Sequence, residues 1–150
     1  MGLFGTAGVR GRVETRVTPT LAVRVGRAVA AVARERRAES ADTATDDGHD
    51  RPEVVVARDG RVTGPALAAA VEAGLASGGA RVTRAGQLPT PAAAYASRGR
   101  YGVVFTASPN PPGDHGLKLF AQSRQFDRRH RPPAAHRCDA PASPLSLHPC

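Results

Sequence analysis

The feature that most constrains this chain is a run of three valines at residues 54–56, which ends in the turn-forming pair Asp59-Gly60. A short β-branched run of this kind is typical of a strand that is buried on both faces of a sheet. The stretch that follows has Pro65 in a first-turn position and large apolar residues at four-residue intervals before Gly78. This pattern predicts an amphipathic helix directly after the buried strand.

The alternation of strands and helices continues along the chain. Residues 81–85 form a second strand candidate, Pro91 opens a short alanine-rich helix, residues 102–106 form a third strand, and residues 117–120 add one more. Strands joined by helices pair in parallel within one sheet that the helices cover on both faces. The sequence therefore predicts an α/β fold, a three-layer α/β/α sandwich with a mainly parallel mixed sheet.

The segments before and after this alternation of strands and helices indicate where the domain begins and ends. Thr18 followed by proline predicts the start of a helix that runs to about residue 37, and residues 39–52 are polar and aperiodic, which favours an exposed loop. Residues 128–150 are rich in arginine, proline and histidine and lack hydrophobic periodicity. We expect one domain at residues 1–127, followed by a disordered tail. The amino-acid composition of this tail is that expected when a coding sequence is read out of frame.

A serine stands where the third strand ends. The strand at residues 103–106 runs into Ser108, and open α/β sheets bind ligands beyond the carboxyl ends of their strands. Lys118, the single lysine of the chain, follows ten residues later, and Arg10 lies among glycines that allow close approach to an anion. A hydroxyl surrounded by basic groups can accept a phosphoryl group. The same Ser-Pro-Asn-Pro pattern also fits an ordinary surface turn.

Four stretches in order resemble the α-D-phosphohexomutases, the family of phosphoglucomutase, phosphomannomutase and phosphoglucosamine mutase. They are FGTAGVRG (Phe4 to Gly11), VARDGRVTG (Val56 to Gly64), LPTPA (Leu88 to Ala92) and TASPNPPGDHGLK (Thr106 to Lys118). Their order and spacing resemble the first, phosphoserine-bearing domain of that family. The resemblance implies an intramolecular phosphotransferase of carbohydrate metabolism that acts on hexose phosphates and hexose bisphosphates.

The resemblance also implies roles for individual residues. Ser108 would be the phosphoserine and one ligand of a Mg²⁺ ion, Lys118 a general acid/base or phosphate-neutralising group, and Arg10 a positive charge near the phosphoserine. Four further residues would contact substrate or phosphate, with a structural turn or ion pair as the alternative for the first two: Asp59, Arg61, Asn110 and His115.

Two alternatives to a working mutase stay open. Pro109 and His115 stand where the family usually has histidine and asparagine, and the printed sequence has no Asp-Gly-Asp-x-Asp-Arg stretch for the metal. These departures predict that the isolated chain turns over little substrate, or that it is a non-catalytic, truncated or frameshifted remnant. The second alternative is a basic polyanion-binding module that uses residues 128–137.

Charge and composition limit the partners and the cellular location that we expect for this chain. The formal net charge is +8, but the basic residues are scattered over predicted helices and turns, which argues against a nucleic-acid partner. No apolar stretch approaches the length of a membrane span, so we expect a cytoplasmic protein without membrane contact. Cys138 and Cys150 both lie in the tail, where they offer no disulfide framework and only a poor zinc-ligand spacing.

Overall fold

The structure is a computed structural model that describes residues 8–40, 51–107, 110–111 and 113–125. Its elements, in chain order, are β1 (Val9–Arg12), α1 (Pro19–Ser40), β2 (Glu53–Arg58), α2 (Gly64–Ser77), β3 (Arg81–Gln87), α3 (Thr90–Ala96), β4 (Tyr101–Phe105), β5 (Asp114–Ala121) and β6 (Arg124–Gln125). The predicted helices and the four predicted strands are present, while β1 and β6 are additional.

Two sequence-based expectations concern segments that lie partly or wholly outside the described residues. The predicted loop at residues 39–52 begins later than expected, because α1 continues through Ser40, and residues 41–50 lie outside the described residues. The predicted disordered tail at residues 128–150, with its two cysteines, also lies outside them. In the part of the chain that the structure describes, no helix is long and apolar enough to cross a membrane.

The sheet is mixed, and its strand order is β1-β5-β4-β2-β3, with β6 paired to β5. β2 pairs in parallel with both β3 and β4, whereas β5 is antiparallel to β4, β1 and β6. The parallel part is smaller than predicted because the loop from β4 to β5 is too short for the crossover that a parallel pair needs. The α/β class with a mixed sheet is confirmed.

Helices cover both faces of this sheet. α1 and α2 pack on one face, where valines of β2 and β4 meet Phe105 and Leu117 in a single hydrophobic cluster. α3 packs on the other face, where Ala93 meets Val104 and Phe120. The three-layer arrangement is therefore confirmed, and the alternation along β5 sends neighbouring residues to opposite layers.

Two glycines allow α1 and α2 to approach each other closely. A Cβ atom on Gly74 of α2 would overlap the carbonyl oxygen of Val23 and lie 2.9 Å from its carbonyl carbon. On the opposing helix, a Cβ on Gly26 would lie 2.8 Å from the amide nitrogen of Leu75. The two backbones are thus in direct contact, which fixes α2 and the turn that precedes it against the sheet.

That turn and the β4–β5 loop lie at the same edge of the sheet. β2 and β4 are adjacent and parallel, so the segment after Arg58 and the segment after Phe105 leave the sheet side by side. The amide of Asp59 donates to the carbonyl of Phe105 over 2.9 Å, which extends the pairing into the turn. Residues separated by about 50 positions in sequence are thereby brought together.

Candidate functional site

The predicted site residues fall into two groups on opposite sides of the β4–β5 loop. Ser108, which the sequence predicts as phosphoryl carrier and metal ligand, lies outside the described residues, as do Pro109 and Pro112. Arg10 and Lys118 lie together on the face of the sheet that α3 covers. The remaining four residues surround the turn between β2 and α2: Asp59, Arg61, Asn110 and His115.

The antiparallel pairing of β1 with β5 places Arg10 next to Lys118. Arg10 is directly opposite Gly116, and Lys118 is two residues further along β5, so both side chains leave the same face as diagonal neighbours. A Cβ on Gly116 would overlap the carbonyl oxygen of Thr106 and lie 3.4 Å from Cγ of Arg10. Glycine at 116 therefore allows β5 to approach the backbone of Thr106 at the start of the β4–β5 loop, with the arginine stem alongside.

The Arg10 and Lys118 side chains form a cationic pair that has no counter-charge among the described residues. Burial lowers the pKa of the Lys118 ammonium below its usual value, and the positive charge of Arg10 lowers it further. The Nε atom of Arg10 is buried and has no hydrogen-bond partner in the described part of the chain. No carboxylate of the described residues forms a salt bridge with either group. Such a pair is suited to an anion, which would satisfy the free donor and reduce the repulsion.

The second group centres on an ion pair between Asp59 and Arg61. Arg61 donates from its backbone nitrogen to Oδ1 of Asp59 over 3.1 Å and from Nε to Oδ2 over 3.0 Å. Its two terminal nitrogens donate to backbone carbonyls of the β4–β5 loop and of β5, at Asn110 (3.0 Å), Pro111 (2.6 Å) and Asp114 (2.9 Å). The guanidinium is therefore occupied by protein oxygens, and its predicted contact with phosphate stays a prediction.

The Asp59 carboxylate is held in its ionised form. Burial raises its pKa, but hydrogen bonds from the Arg61 backbone, the Arg61 side chain and Thr106 outweigh that effect, so the net pKa lies below its usual value. A carboxylate that accepts several hydrogen bonds is a rigid acceptor rather than a proton donor near neutral pH. These contacts favour the ion pair that the sequence left open as an alternative for Asp59 and Arg61.

His115 is buried against the start of α2. Its side chain is 1% exposed, and Nε2 lies 2.5 Å from the hydroxyl oxygen of Thr63, while Nδ1 is buried without a partner. Burial lowers the pKa of the His115 imidazole, and the Arg61 charge lowers it further, so the ring is neutral near pH 7. This geometry favours a structural role for His115, and its predicted contact with substrate stays a prediction.

Asn110 stabilises the loop locally. Its amide nitrogen donates to the carbonyl of Ala107 over 2.6 Å, and its side-chain nitrogen donates to the Asp114 carboxylate over 3.3 Å. Asn110 also lines a surface cavity of about 550 Å³ between the β2–α2 turn and the loop, which includes the exposed Val62. Neither Arg10 nor Lys118 lines this cavity, so the basic pair and the cavity are separate features.

The described residues do not by themselves fit a metal ion. Across residues 8–40, 51–107, 110–111 and 113–125, no group of three His, Cys, Asp or Glu side chains could hold one. Mg²⁺ prefers several oxygen ligands in octahedral geometry. Ser108, the one ligand that the resemblance implies for Mg²⁺, lies outside the described residues.

Sequence reasoning missed two residues of this region. Thr63 is the hydrogen-bond partner of His115, and Gly116 provides the space for the backbone of Thr106 beside Arg10. Thr63 precedes a helix that begins with a Gly-Pro pair, which signals a helix start but no long-range partner. Gly116 carried no signal of its own, because its close approach to Thr106 depends on the pairing of β5 with β4.

Comparison with known proteins agrees with this fold. Residues 1–131 match the family described as phosphoglucomutase/phosphomannomutase, alpha/beta/alpha domain I. The chain is 48% identical over 126 residues to the phosphoglucosamine mutase of Paenarthrobacter aurescens, covering 82% of this chain and 26% of that protein. It is 48% identical over 122 residues to the phosphoglucosamine mutase of Salinispora arenicola, covering 79% of this chain and 25% of that protein.

A solved structure shows the same architecture. The crystal structure of a phosphoglucomutase/phosphomannomutase family protein from Burkholderia thailandensis aligns with a TM-score of 0.68 at 28% identity, covering 90% of this chain and 29% of that chain. The fold and the matched residues define an α/β/α domain of the kind that this family description names. This chain belongs to the phosphoglucomutase/phosphomannomutase family and spans about a quarter of the length of the curated relatives it matches.

Proposed function

We propose that this chain is the phosphoryl-carrying domain of a hexose-phosphate mutase, with Ser108 as the carrier. The domain comprises residues 1–127 and acts in the cytoplasm. The names of the relatives favour a hexosamine phosphate as the sugar, since the relatives cited above are phosphoglucosamine mutases. The family match does not favour either alternative drawn from the sequence, the non-catalytic remnant or the polyanion-binding module.

The observation that carries this proposal is the cationic pair of Arg10 and Lys118 beside the β4–β5 loop. Phosphoryl transfer needs fixed positive groups near the oxygens of the transferring group, because catalysis in this reaction is mainly positioning and charge stabilisation. Arg10 offers a buried donor that has no partner in the described residues, and Lys118 offers a partly desolvated ammonium. Both project from strands next to Thr106, two residues before Ser108.

The proposed step conserves atoms and charge. The hydroxyl oxygen of Ser108 forms a bond to phosphorus of a hexose bisphosphate, and the bond from that phosphorus to the sugar oxygen breaks. The serine proton ends on the released sugar oxygen. Lys118 is the candidate for the group that moves this proton or neutralises the phosphoryl oxygens, since its lowered pKa makes the ammonium a better proton donor.

Intact-protein mass spectrometry tests the proposal. Incubation of the chain with glucose 1,6-bisphosphate is expected to add one phosphoryl group slowly, without turnover, and Ser108→Ala should abolish the addition. Ser77→Ala is the matched control, because the Ser77 hydroxyl donates only to the carbonyl of Gly74 within α2. A wild-type chain that gains no mass would contradict the proposal and favour the non-catalytic alternative. A Ser108→Ala chain that still gains the mass would contradict the assignment of the carrier.

A further inference from the structure

We propose that Arg61 is a positioning residue that ties together the segments before and after Ser108, at Thr106 and at residues 110–114. The inference rests on the proposed function only in that this loop carries the phosphoryl-accepting serine. Arg61 belongs to the turn between β2 and α2, and its guanidinium reaches residues 49 to 53 positions further along the chain. Its side chain is only 13% exposed, and its hydrogen bonds to Asn110 and Asp114 are partly buried.

The guanidinium joins the two flanks of the serine. On the flank before Ser108, the carboxylate of Asp59 accepts a hydrogen bond from Thr106 and two from Arg61. On the flank after Ser108, the terminal nitrogens of Arg61 donate to the carbonyls of Asn110 and Pro111. Residues two positions away on either side of the serine are therefore tied to the same ion pair.

Only arginine supplies the donors that this arrangement uses. Nε binds a carboxylate oxygen while both terminal nitrogens bind carbonyls that belong to three different residues. The planar guanidinium presents five N–H donors in a fixed fork, whereas a lysine presents three donors from one nitrogen. Lysine at this position would retain the charge and lose most of the simultaneous contacts.

The role of Arg61 is thus distinct from that of the cationic pair. Four of its five N–H donors face oxygens of the protein, whereas Arg10 has a buried donor without a partner in the described chain. Small displacements of a reacting group reduce rates steeply, by about 100-fold for a misplacement of about 1 Å. Fixed segments on both sides of Ser108 would therefore raise the rate of phosphoryl acceptance without contributing to anion binding.

Amide hydrogen exchange, measured by NMR, reports directly how often the hydrogen bonds on the flank after Ser108 open. Arg61→Gln is expected to accelerate exchange by about tenfold or more at Asn110 and Asp114, whose amides bond within the loop, while amides of α2 change little. Arg61→Lys is expected to behave like the glutamine variant. Arg84→Gln is the control, since it removes an exposed arginine that, among the described residues, pairs with Glu72.

The outcomes are decisive in both directions. Unchanged exchange at Asn110 and Asp114 in Arg61→Gln would overturn the proposal, and so would equal acceleration in the loop and in α2, which indicates a general loss of stability. If Arg61→Gln does not fold, Arg61→Lys is judged by the same criteria. If Arg61→Lys does not fold either, Arg61 supports the whole domain and the proposal of a loop-specific role is overturned.

A second readout separates positioning from binding. In the phosphoryl-loading assay, Arg61→Lys is expected to lower the maximal loading rate by about tenfold or more, with a half-saturating bisphosphate concentration close to that of the wild type. An equal loading rate would contradict the proposal. A wild-type chain that does not load at all contradicts the proposed function alone, because hydrogen exchange still reports whether Arg61 holds the loop.

Discussion

Replacing Lys118 by methionine is expected to reduce the rate of phosphoryl loading from glucose 1,6-bisphosphate by about 100-fold or more. Methionine has a similar length and tolerates the partly buried position on β5, so the main change is the loss of the ammonium. Removal of one group that stabilises developing charge in a water-poor site costs about 100- to 1,000-fold in rate. The measurement is the time course of mass gain at saturating bisphosphate.

The control for Lys118→Met is Arg81→Met, which removes one positive charge at an exposed position of the edge strand β3, away from the cationic pair. Loading by Arg81→Met should match that of the wild type, and circular dichroism should show the same fold for both variants. Loading of Lys118→Met at the wild-type rate would show that the ammonium does not act on the transferring group.

Replacing Gly74 by alanine is expected to lower the free energy of unfolding by about 2 kcal/mol or more, a typical cost of overpacking. Alanine has the higher helix propensity, by about 1 kcal/mol, so the substitution would stabilise an isolated helix. In this fold the added Cβ would overlap the carbonyl oxygen of Val23 and lie 3.0 Å from its Cα. Backbone atoms of α1 cannot move aside as a flexible side chain can, so the two helices must separate. Urea unfolding followed by circular dichroism measures the change.

Gly64→Ala is the matched control, because it makes the same substitution at the start of the same helix. There the added Cβ would lie 3.3 Å from the Cδ of Arg58, the movable part of a long side chain, and 3.6 Å from the carbonyl oxygen of Asp59. We expect a change within about 1 kcal/mol, the upper end of the glycine-to-alanine propensity difference. A Gly74→Ala variant that is as stable as Gly64→Ala would contradict the close packing of α1 against α2.

The central strands and helices of this fold could be predicted from the sequence because their signals are local. The valines at residues 54–56 and the proline at residue 65 mark a buried strand and a helix start without reference to the rest of the chain. β1 could not be predicted in this way, since its four residues include one glycine and two arginines. Its strand conformation depends on pairing with β5, which is more than 100 residues away in sequence.

In the candidate site, too, features with a local sequence signal could be predicted and features that depend on long-range pairing could not. The loop after β4 was predicted to carry a serine at the edge of the sheet, because a strand followed by a turn is a local pattern. The proximity of Arg10 to Lys118 follows from the register in which Arg10 faces Gly116, and that register has no local signal. The partners of Arg61 are backbone carbonyls, which every residue carries, so no sequence pattern could single them out.

The central claim is that Arg10 and Lys118 together form an anion site at the phosphoryl-accepting loop. The most direct measurement is an NMR titration of the Lys118 side chain with and without inorganic phosphate, in the wild type and in Arg10→Gln. The account predicts that phosphate raises the pKa of Lys118 and that Arg10→Gln weakens phosphate binding by about tenfold, the effect of losing one charged hydrogen bond. A Lys118 pKa that phosphate leaves unchanged would contradict the account.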